Sequence, residues 1–244
     1  DLIAAVGKKA IHHMTPEDRE KVSKIDTLWL DTGLNAEETR RRVPIGTVGV
    51  IEAPFVRAGE ERIISKALDD RVGAFAVLEA LRALSAAGCR HRVTAVATAQ
   101  EEIGSLGARL AAVRERPTVA IAVDVGFETG QPGADAKAVG DAPFGCGAIL
   151  SVSPLVNPVV LRRLQAAAAG RGIPTVLSSD PRRTSTDLDE LTLAGEGAPG
   201  AVVSIPCRYM HSPSEMVDLR DVQAVADLLA AFVLDLSDDE AFER

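Results

Sequence analysis

The chain has 244 residues, of which 46% are hydrophobic and 25% are charged, and its net charge at pH 7 is −8. This length allows one large domain with a smaller module, and an acidic chain without a long basic block is unsuited to binding nucleic acid. The most apolar helical stretch, residues 225–236, is too short to span a bilayer, so no membrane partner is expected.

Cysteine use and the first residues of the chain bear on its cellular compartment. Cys89, Cys146 and Cys207 are far apart and form no CxxC pair, so we expect reduced thiols. The first residues show no signal-peptide pattern of basic, apolar and small residues. These features together predict a cytoplasmic location.

The hydrophobic pattern changes its character near residue 59. Residues 1–58 contain short, turn-rich, β-leaning segments, such as DTLWLD at 26–31 and VPIGTVGVIEAPFV at 43–56, which predict part of a small β module. In residues 59–244, apolar strands alternate with helices. Helices are predicted at 72–88, 103–115, 159–170 and 218–236, and strands at 92–99, 119–125, 174–179 and 201–207. Because these strands are apolar on both faces, they predict an α/β sheet with helices on both sides.

Glycines and aspartates mark the ends of several predicted helices. Gly88 and Gly170 stand where C-terminal caps are expected, and Asp218 stands where the last helix needs an N-cap. The segment 127–155 is rich in glycine and proline, which predicts an irregular connection.

Four acids and one histidine occur where predicted strands end or a predicted helix begins: Asp69, Glu101, Glu102, Asp124 and His211. In open α/β sheets, ligand sites form beyond the carboxyl ends of the strands, so these side chains are expected to converge. Carboxylates brought together there repel one another and are costly to desolvate unless cations neutralise them. A pair of divalent metal ions, zinc or cobalt, would resolve this conflict because these metals accept mixed oxygen and nitrogen ligands.

Four segments containing these residues resemble the successive motifs of one protein family. They are SKALDDRVG (65–73), TAQEEIG (98–104), AIAVDVG (120–126) and RYMHSPSEMVD (208–218). The family is that of the tetrahedral aminopeptidases, dinuclear metallopeptidases that include glutamyl and leucyl aminopeptidases and proteins labelled endoglucanases. Residues 7–21 and 25–33 resemble that family's small dimerisation module. The resemblance implies a zinc-peptidase-like mixed sheet sandwiched by helices at 59–244, with part of a small β dimerisation module at 1–58.

The resemblance also implies a role for each candidate residue. Glu101 would be the general base, taking a proton from the attacking water and passing it to the leaving amine. Glu102 and His211 would bind one metal ion, Asp124 would bind the other, and Asp69 would bridge the two, with Asp70 positioning it. The implied partners are a peptide substrate and further copies of the chain, in dimers and larger assemblies.

The sequence departs from the family pattern at one point, which leaves alternatives open. Family members carry a further metal-binding histidine, in a His-x-Asp setting upstream of the dimerisation module, and no segment here matches it. We therefore expect either a fragment of a longer enzyme or a truncated homologue with impaired metal binding. The alternatives are a catalytically impaired structural subunit and a metal-dependent deacylase of acyl-amino acids.

Each motif also has a plainer explanation when taken alone. Adjacent glutamates at a helix start are often surface charges favoured by the helix dipole, an aspartate before a helix is often a cap, and a single histidine is often structural. Thr186–Asp187 resembles a Thr-Asp pair near the family's active site, but a simple turn explains it nearly as well. The arginines at 182–183 could meet an acidic substrate residue or belong to a solvated loop.

Overall fold

The computed structural model describes residues 1–243, with residues 136 and 138 described by their backbone alone. The chain divides into two compact units, Asp1–Ile51 and a second unit from Glu52 onward. This division falls a few residues before the boundary at residue 58 that the sequence predicts. Among the described residues, no helix combines the length and the apolar character needed to cross a membrane.

The first unit consists of short elements without a buried core. Its two strands pair in antiparallel fashion, with Val6 opposite Leu30, and its helices are N-capped by Thr15 and Asn35. The elements are β1 (Ala5–Gly7), α1 (Pro16–Arg19), β2 (Trp29–Asp31) and α2 (Ala36–Arg42), with 3₁₀ turns at Ile11–His13 and Ile25–Thr27. None of its 51 residues is buried. The predicted β character at 43–56 is wrong for most of that segment, because a strand begins only at Val56.

The second unit is built on one mixed sheet of seven strands. The strands are β3 (Val56–Ala58), β4 (Arg62–Ser65), β5 (Ala120–Phe127), β6 (Ala148–Val152), β7 (Thr175–Ser179), β8 (Gly200–Arg208) and β9 (Glu215–Asp218). The helices are α3 (Leu68–Ala86), α4 (Leu106–Glu115), α5 (Ala136–Val139), α6 (Pro158–Arg171), α7 (Leu188–Leu191) and α8 (Leu219–Leu234). The predicted α/β class, a mixed sheet flanked by helices, is confirmed.

Strand β8 is the centre of the sheet. It runs parallel to β5 along one edge, and its other edge pairs in antiparallel fashion with β6 and then with β9. Beyond β9 the sheet continues through β4 to β3, and beyond β6 it ends at the parallel strand β7. Every residue of β8 except Arg208 is buried. Helix α8 packs against α3 and α6 and contributes a continuous apolar face to the same core. A strand buried on both faces explains the unbroken apolar run in the sequence.

Several predicted helix ends are confirmed, and one is wrong. Asp218 caps α8, since its Oδ1 accepts a hydrogen bond from the Arg220 backbone N–H at 3.0 Å. Gly88 adopts a left-handed conformation (φ 68°) just after α3. Helix α6 does not end at Gly170. It continues to Arg171, because Gly172 is the residue with the left-handed conformation that terminates the helix (φ 64°).

The predicted strand at 92–99 is wrong, and a strand in the predicted irregular segment was missed. Residues 92–98 have no regular secondary structure and make no backbone–backbone hydrogen bonds with other described residues. An apolar, extended segment becomes a strand only when a neighbouring strand supplies the ladder. Strand β6 does find this pairing, because it lies between β7 and β8 and is buried there.

Buried polar contacts fix the long connection between β5 and β6. The Glu128 carboxylate is 1% exposed and accepts two hydrogen bonds from Arg208, at 2.6 Å to Nε and 3.2 Å to Nη2. The guanidinium groups of Arg208 and Arg62 both lie over the Phe144 ring, at 4.6 and 4.9 Å from its centroid. The Asp221 carboxylate accepts hydrogen bonds from two backbone N–H groups of the same connection. These contacts hold the connection between β5 and β6 against the ends of β8 and β9.

Glu128→Gln should lower the free energy of unfolding by about 2–4 kcal/mol, because Arg208 would lose its charge partner in a mostly buried setting. The matched control is Asp235→Asn. Asp235 also receives two hydrogen bonds from one arginine, Arg171, but both side chains are well exposed. That variant should cost less than about 1 kcal/mol. Urea unfolding of both variants measures the difference, and equal losses would contradict this account.

Candidate metal centre

The first part of the site is the turn between β4 and α3. Asp69 and Asp70 are counted within α3, but neither has helical backbone angles, and the peptide bond between them is cis. The Asp70 carboxylate accepts a hydrogen bond from the Gly73 backbone N–H at 3.0 Å, as an N-cap does. A side chain on Gly73 would collide with this carboxylate. Asp70 therefore caps the start of the helix, and Asp69 is the residue that precedes this cap.

The second part is the turn that carries Glu101 and Glu102. The Glu101 carbonyl accepts hydrogen bonds from the N–H groups of the next turn, at Gly104 and Ser105, both at 2.9 Å. Gly107 then donates to the Ala99 carbonyl at 3.0 Å, and a Cβ at Gly107 would lie 2.5 Å from that oxygen. This close approach of two backbones requires glycine.

The third part is the turn after β8. Tyr209 and His211 both have left-handed backbone conformations, with φ of 57° and 63°. Residues other than glycine adopt this conformation at a cost of roughly 1 kcal/mol or more. Ala67 and Gln100, which lie next to the other two turns, share it. Strained backbone is therefore a property of all three turns of the site.

Asp69, Glu102 and His211 come together from these turns. Each offers a ligand atom, and the three atoms lie within 4.8 Å of one another. The His211 Nε2 atom is 3.1 Å from Asp69 Oδ2 and 3.5 Å from Glu102 Oε2. Two ligand atoms, each about 2.1 Å from one tetrahedral zinc ion, lie roughly 3.4 Å apart. The separations and the mixed oxygen and nitrogen donors thus fit a single divalent cation.

Asp124 and Glu101 lie beside this group but outside it. Asp124 is the fifth of the eight residues of β5, because the strand runs past the end predicted at residue 125, and its Oδ1 accepts a hydrogen bond from the Val125 N–H at 2.8 Å. The three-ligand group found among the described residues contains neither acid. The charge of Asp69 contributes to raising the pKa of both acids. The structure therefore gathers all five candidates into one region but gives ligand spacing to three.

Burial and mutual repulsion raise the pKa values of these acids. Burial, followed by repulsion from Glu102 and Glu215, raises the pKa of Asp69 to about 6. Burial is also the main cause for the other two aspartates, raising the pKa of Asp124 to about 8 and that of Asp70 to about 9. The pKa of Glu101 is raised by burial and then by the charge of Asp187. Such a cluster binds protons or cations readily.

Two further acids lie in this region: Glu215, which was not singled out from the sequence, and Asp187, which was weighed as part of the Thr186–Asp187 pair. Glu215, 2% exposed, accepts hydrogen bonds from the backbone N–H groups of Asp69 and His211. Its sequence signal is its place in the motif RYMHSPSEMVD (208–218), four residues after His211. Asp187 accepts a hydrogen bond from the Thr98 hydroxyl, and its other oxygen is buried with no hydrogen-bond partner among the described residues. The Thr186–Asp187 pair thus adjoins the site.

Arg182 and Arg183, which were considered as contacts for an acidic substrate residue, differ in their surroundings. Arg183 makes ion pairs within its own segment, at 3.2 Å to Asp189 and 3.8 Å to Glu190. Arg182 is exposed. The pairing of Arg183 favours a local structural role for that residue.

Comparison with known proteins identifies the family. The M42 glutamyl aminopeptidase family matches residues 1–228. The lysyl aminopeptidase of Pyrococcus furiosus is 36% identical over 230 residues, which are 92% of this chain and 64% of that protein. The solved TET aminopeptidase from a marine sediment Thaumarchaeota archaeon is 27% identical, with a TM-score of 0.87, covering 97% of this chain and 67% of that one. An aminopeptidase from Desulfurococcus kamchatkensis is 33% identical, with a TM-score of 0.81, covering 96% and 65%.

The fold is thus that of solved aminopeptidases. The chain belongs to the M42 glutamyl aminopeptidase family, as the sequence motifs suggested. It spans about two thirds of the length of the relatives that it matches.

The metal-free chain should become less stable as the pH rises. The ordinary pKa of Asp70 and Asp124 is 3.8, and in the folded chain these values are about 9 and about 8. Between these limits the folded state keeps protons that the unfolded state has released. Below the unfolded pKa, the stabilisation by these protons is complete. As the pH rises from there to the folded pKa, the free energy of unfolding should fall by roughly 1 kcal/mol per pH unit for each group.

Urea unfolding in a chelator, at about pH 5 and about pH 8.5, measures this slope, and added zinc should flatten it because the cation replaces the proton as the neutralising charge. A stability in chelator that stays level or rises over this range would contradict the prediction.

Proposed function

We propose that the chain carries the catalytic centre of a metal-dependent aminopeptidase, which removes N-terminal residues from peptides. The observation that carries this proposal is the group formed by Asp69, Glu102 and His211, whose ligand atoms have the spacing of a cation site. Family membership and the similarity to lysyl and glutamyl aminopeptidases support the choice of substrate class.

We propose two divalent ions, zinc or cobalt, as cofactors. Asp69, Glu102 and His211 would hold the first, and Asp124 would contribute to the second, with Asp69 shared between them. When bound, such a cation supplies Lewis acidity and lowers the pKa of a coordinated water from 15.7 to about 7.

Glu101 is the proposed general base. It adjoins the ligand group without belonging to it, so its carboxylate stays free to take a proton. Burial and the charge of Asp187 raise its pKa above the ordinary value of 4.5, and a general base works best when its pKa approaches the operating pH. Its neighbour Glu102 is 58% exposed and lies within reach of His211. The two adjacent glutamates would thus have different tasks, one moving a proton and one holding a cation.

A second candidate function is that of a catalytically impaired subunit with a structural role. The observation that favours it is the position of Asp124, which joins no three-ligand group among the described residues. A chain that binds one cation but cannot hold a second would match this description.

Glu101→Gln should leave cation binding intact and reduce kcat by about 10²–10⁴-fold, because a general base of this kind contributes that much. Glu102→Gln is the matched variant at the adjacent position and should weaken cation binding itself. Calorimetric zinc titration and hydrolysis of aminoacyl-nitroanilides, with N-acyl amino acids alongside, separate the two effects. Wild-type chain that binds cation and cleaves neither substrate would favour the structural subunit. Cleavage of the N-acyl amino acids alone would favour a deacylase.

We also propose that the chain self-associates and resides in the cytoplasm. Self-association is supported by the first unit, where apolar residues are widely exposed and none is buried. Val22 and Ile25 are 92% and 89% exposed. A unit without a buried core gains stability when its apolar side chains pack against a partner, such as a second copy.

Val22→Ser together with Ile25→Ser should shift the chain towards monomers, because it removes apolar surface from this unit. The matched control is Lys21→Ser with Lys24→Ser, which alters the same segment without changing its apolar surface. Sedimentation velocity over a range of protein concentrations measures the effect. Self-association that is equally weakened by both pairs, or by neither, would count against an apolar interface here.

A further inference from the structure

Two of the three proposed ligands are tied to one buried carboxylate. Glu215 is 2% exposed. Its Oε2 accepts a hydrogen bond from the Asp69 backbone N–H at 3.0 Å, and its Oε1 accepts one from the His211 backbone N–H at 2.9 Å. The turn before α3 and the turn after β8 are remote in the sequence, and this side chain joins them.

The position of Glu215 in the sheet makes it a rigid anchor. It is the first residue of β9, where it pairs with Ser65 of β4. Strand β4 leads into the turn that carries Asp69, and β8, on the other side of β9, leads into the turn that carries His211. The carboxylate therefore originates from the strand that lies between the two strands whose ends it connects.

The contacts of Glu215 carry an electrostatic cost. A buried carboxylate is costly unless a cation pairs with it, and no cationic side chain among the described residues lies within ion-pair distance of Glu215. Its charge also repels that of Asp69. The two hydrogen bonds hold His211 in its left-handed conformation and Asp69 in its non-helical one. The carboxylate thus constrains two strained turns at an electrostatic cost.

We propose that Glu215 is a positioning residue, which sets the separation between the Asp69 and His211 ligand atoms by holding both backbone N–H groups. This inference rests on the proposed metal centre. Each oxygen of a carboxylate can accept one of the two hydrogen bonds. An amide cannot replace it, because its NH₂ group would face one of the N–H donors. Glu215→Gln should therefore release one turn while keeping the side chain's size.

The chain offers a matched control in Asp221. This residue is 1% exposed, and its two oxygens accept hydrogen bonds from the Gly145 and Gly147 N–H groups, both at 2.8 Å. Like Glu215, it is a buried acid that joins remote backbone through two hydrogen bonds, but those segments carry no proposed ligand. Asp221→Asn should lower the free energy of unfolding by an amount similar to that for Glu215→Gln.

The experiment compares three properties of wild type, Glu215→Gln and Asp221→Asn. These are zinc affinity by calorimetry, stability in urea, and hydrogen exchange of single amides by NMR. Both variants should lose stability. Only Glu215→Gln should weaken zinc binding, by about 10-fold or more, as loss of a supporting contact behind a ligand typically does. It should also speed amide exchange at Asp69 and His211, whereas Asp221→Asn should do so at Gly145 and Gly147.

The outcomes separate this proposal from the proposed function. Unchanged zinc affinity in Glu215→Gln, or an equal loss in Asp221→Asn, would overturn the positioning role while leaving the metal centre in place. If wild type binds no zinc, the proposed metal centre fails, and amide hydrogen exchange alone then tests the role of Glu215. That role would be overturned if the Asp69 and His211 amides stayed protected in Glu215→Gln. Should Glu215→Gln not fold, Glu215→Asp, which is one methylene shorter and reaches only one N–H, takes its place in the same comparison.

Discussion

The crowding of carboxylates from β5 and from the turns of the site is the constraint on which the rest of the structure depends. Asp69, Asp70, Asp124 and Glu101 all have pKa values above their ordinary range, because each is desolvated and faces like charge. This arrangement opposes folding, so the buried core of β8 and α8 must offset it. It also creates a strong demand for positive charge, which a cation can meet at a defined place.

Geometry at the site is held by polar contacts behind the site residues. Glu215 binds two turns, Asp70 caps α3, and Gly107 allows the turn of the paired glutamates to approach the preceding segment. The site turns also contain left-handed backbone at non-glycine residues, including His211. Strain of this kind persists only where surrounding contacts enforce it. The precision of the site therefore comes from the sheet and these contacts together.

The sequence predicted local structure well and pairing less well. Short-range signals predicted the N-cap at Asp218, helix α3 and the left-handed Gly88 that follows it. The structure contains all three. The segment 92–99 has a strand's composition but no ladder, whereas 148–152 was overlooked and is buried between two strands. Whether an apolar segment becomes a strand depends on neighbouring strands that are remote in the chain, and the residues of the segment itself do not reveal those neighbours.

For the candidate site, the sequence by itself determined which residue types stand at strand ends and helix starts, and through four ordered motifs it determined the family. Only the tertiary structure decided that Asp69, Glu102 and His211 share ligand spacing while Asp124 stands apart, and that Glu215 supports two of them. The physical reason is that side-chain pattern encodes local periodicity, whereas distances between remote side chains follow from strand order, turn conformation and buried hydrogen bonds.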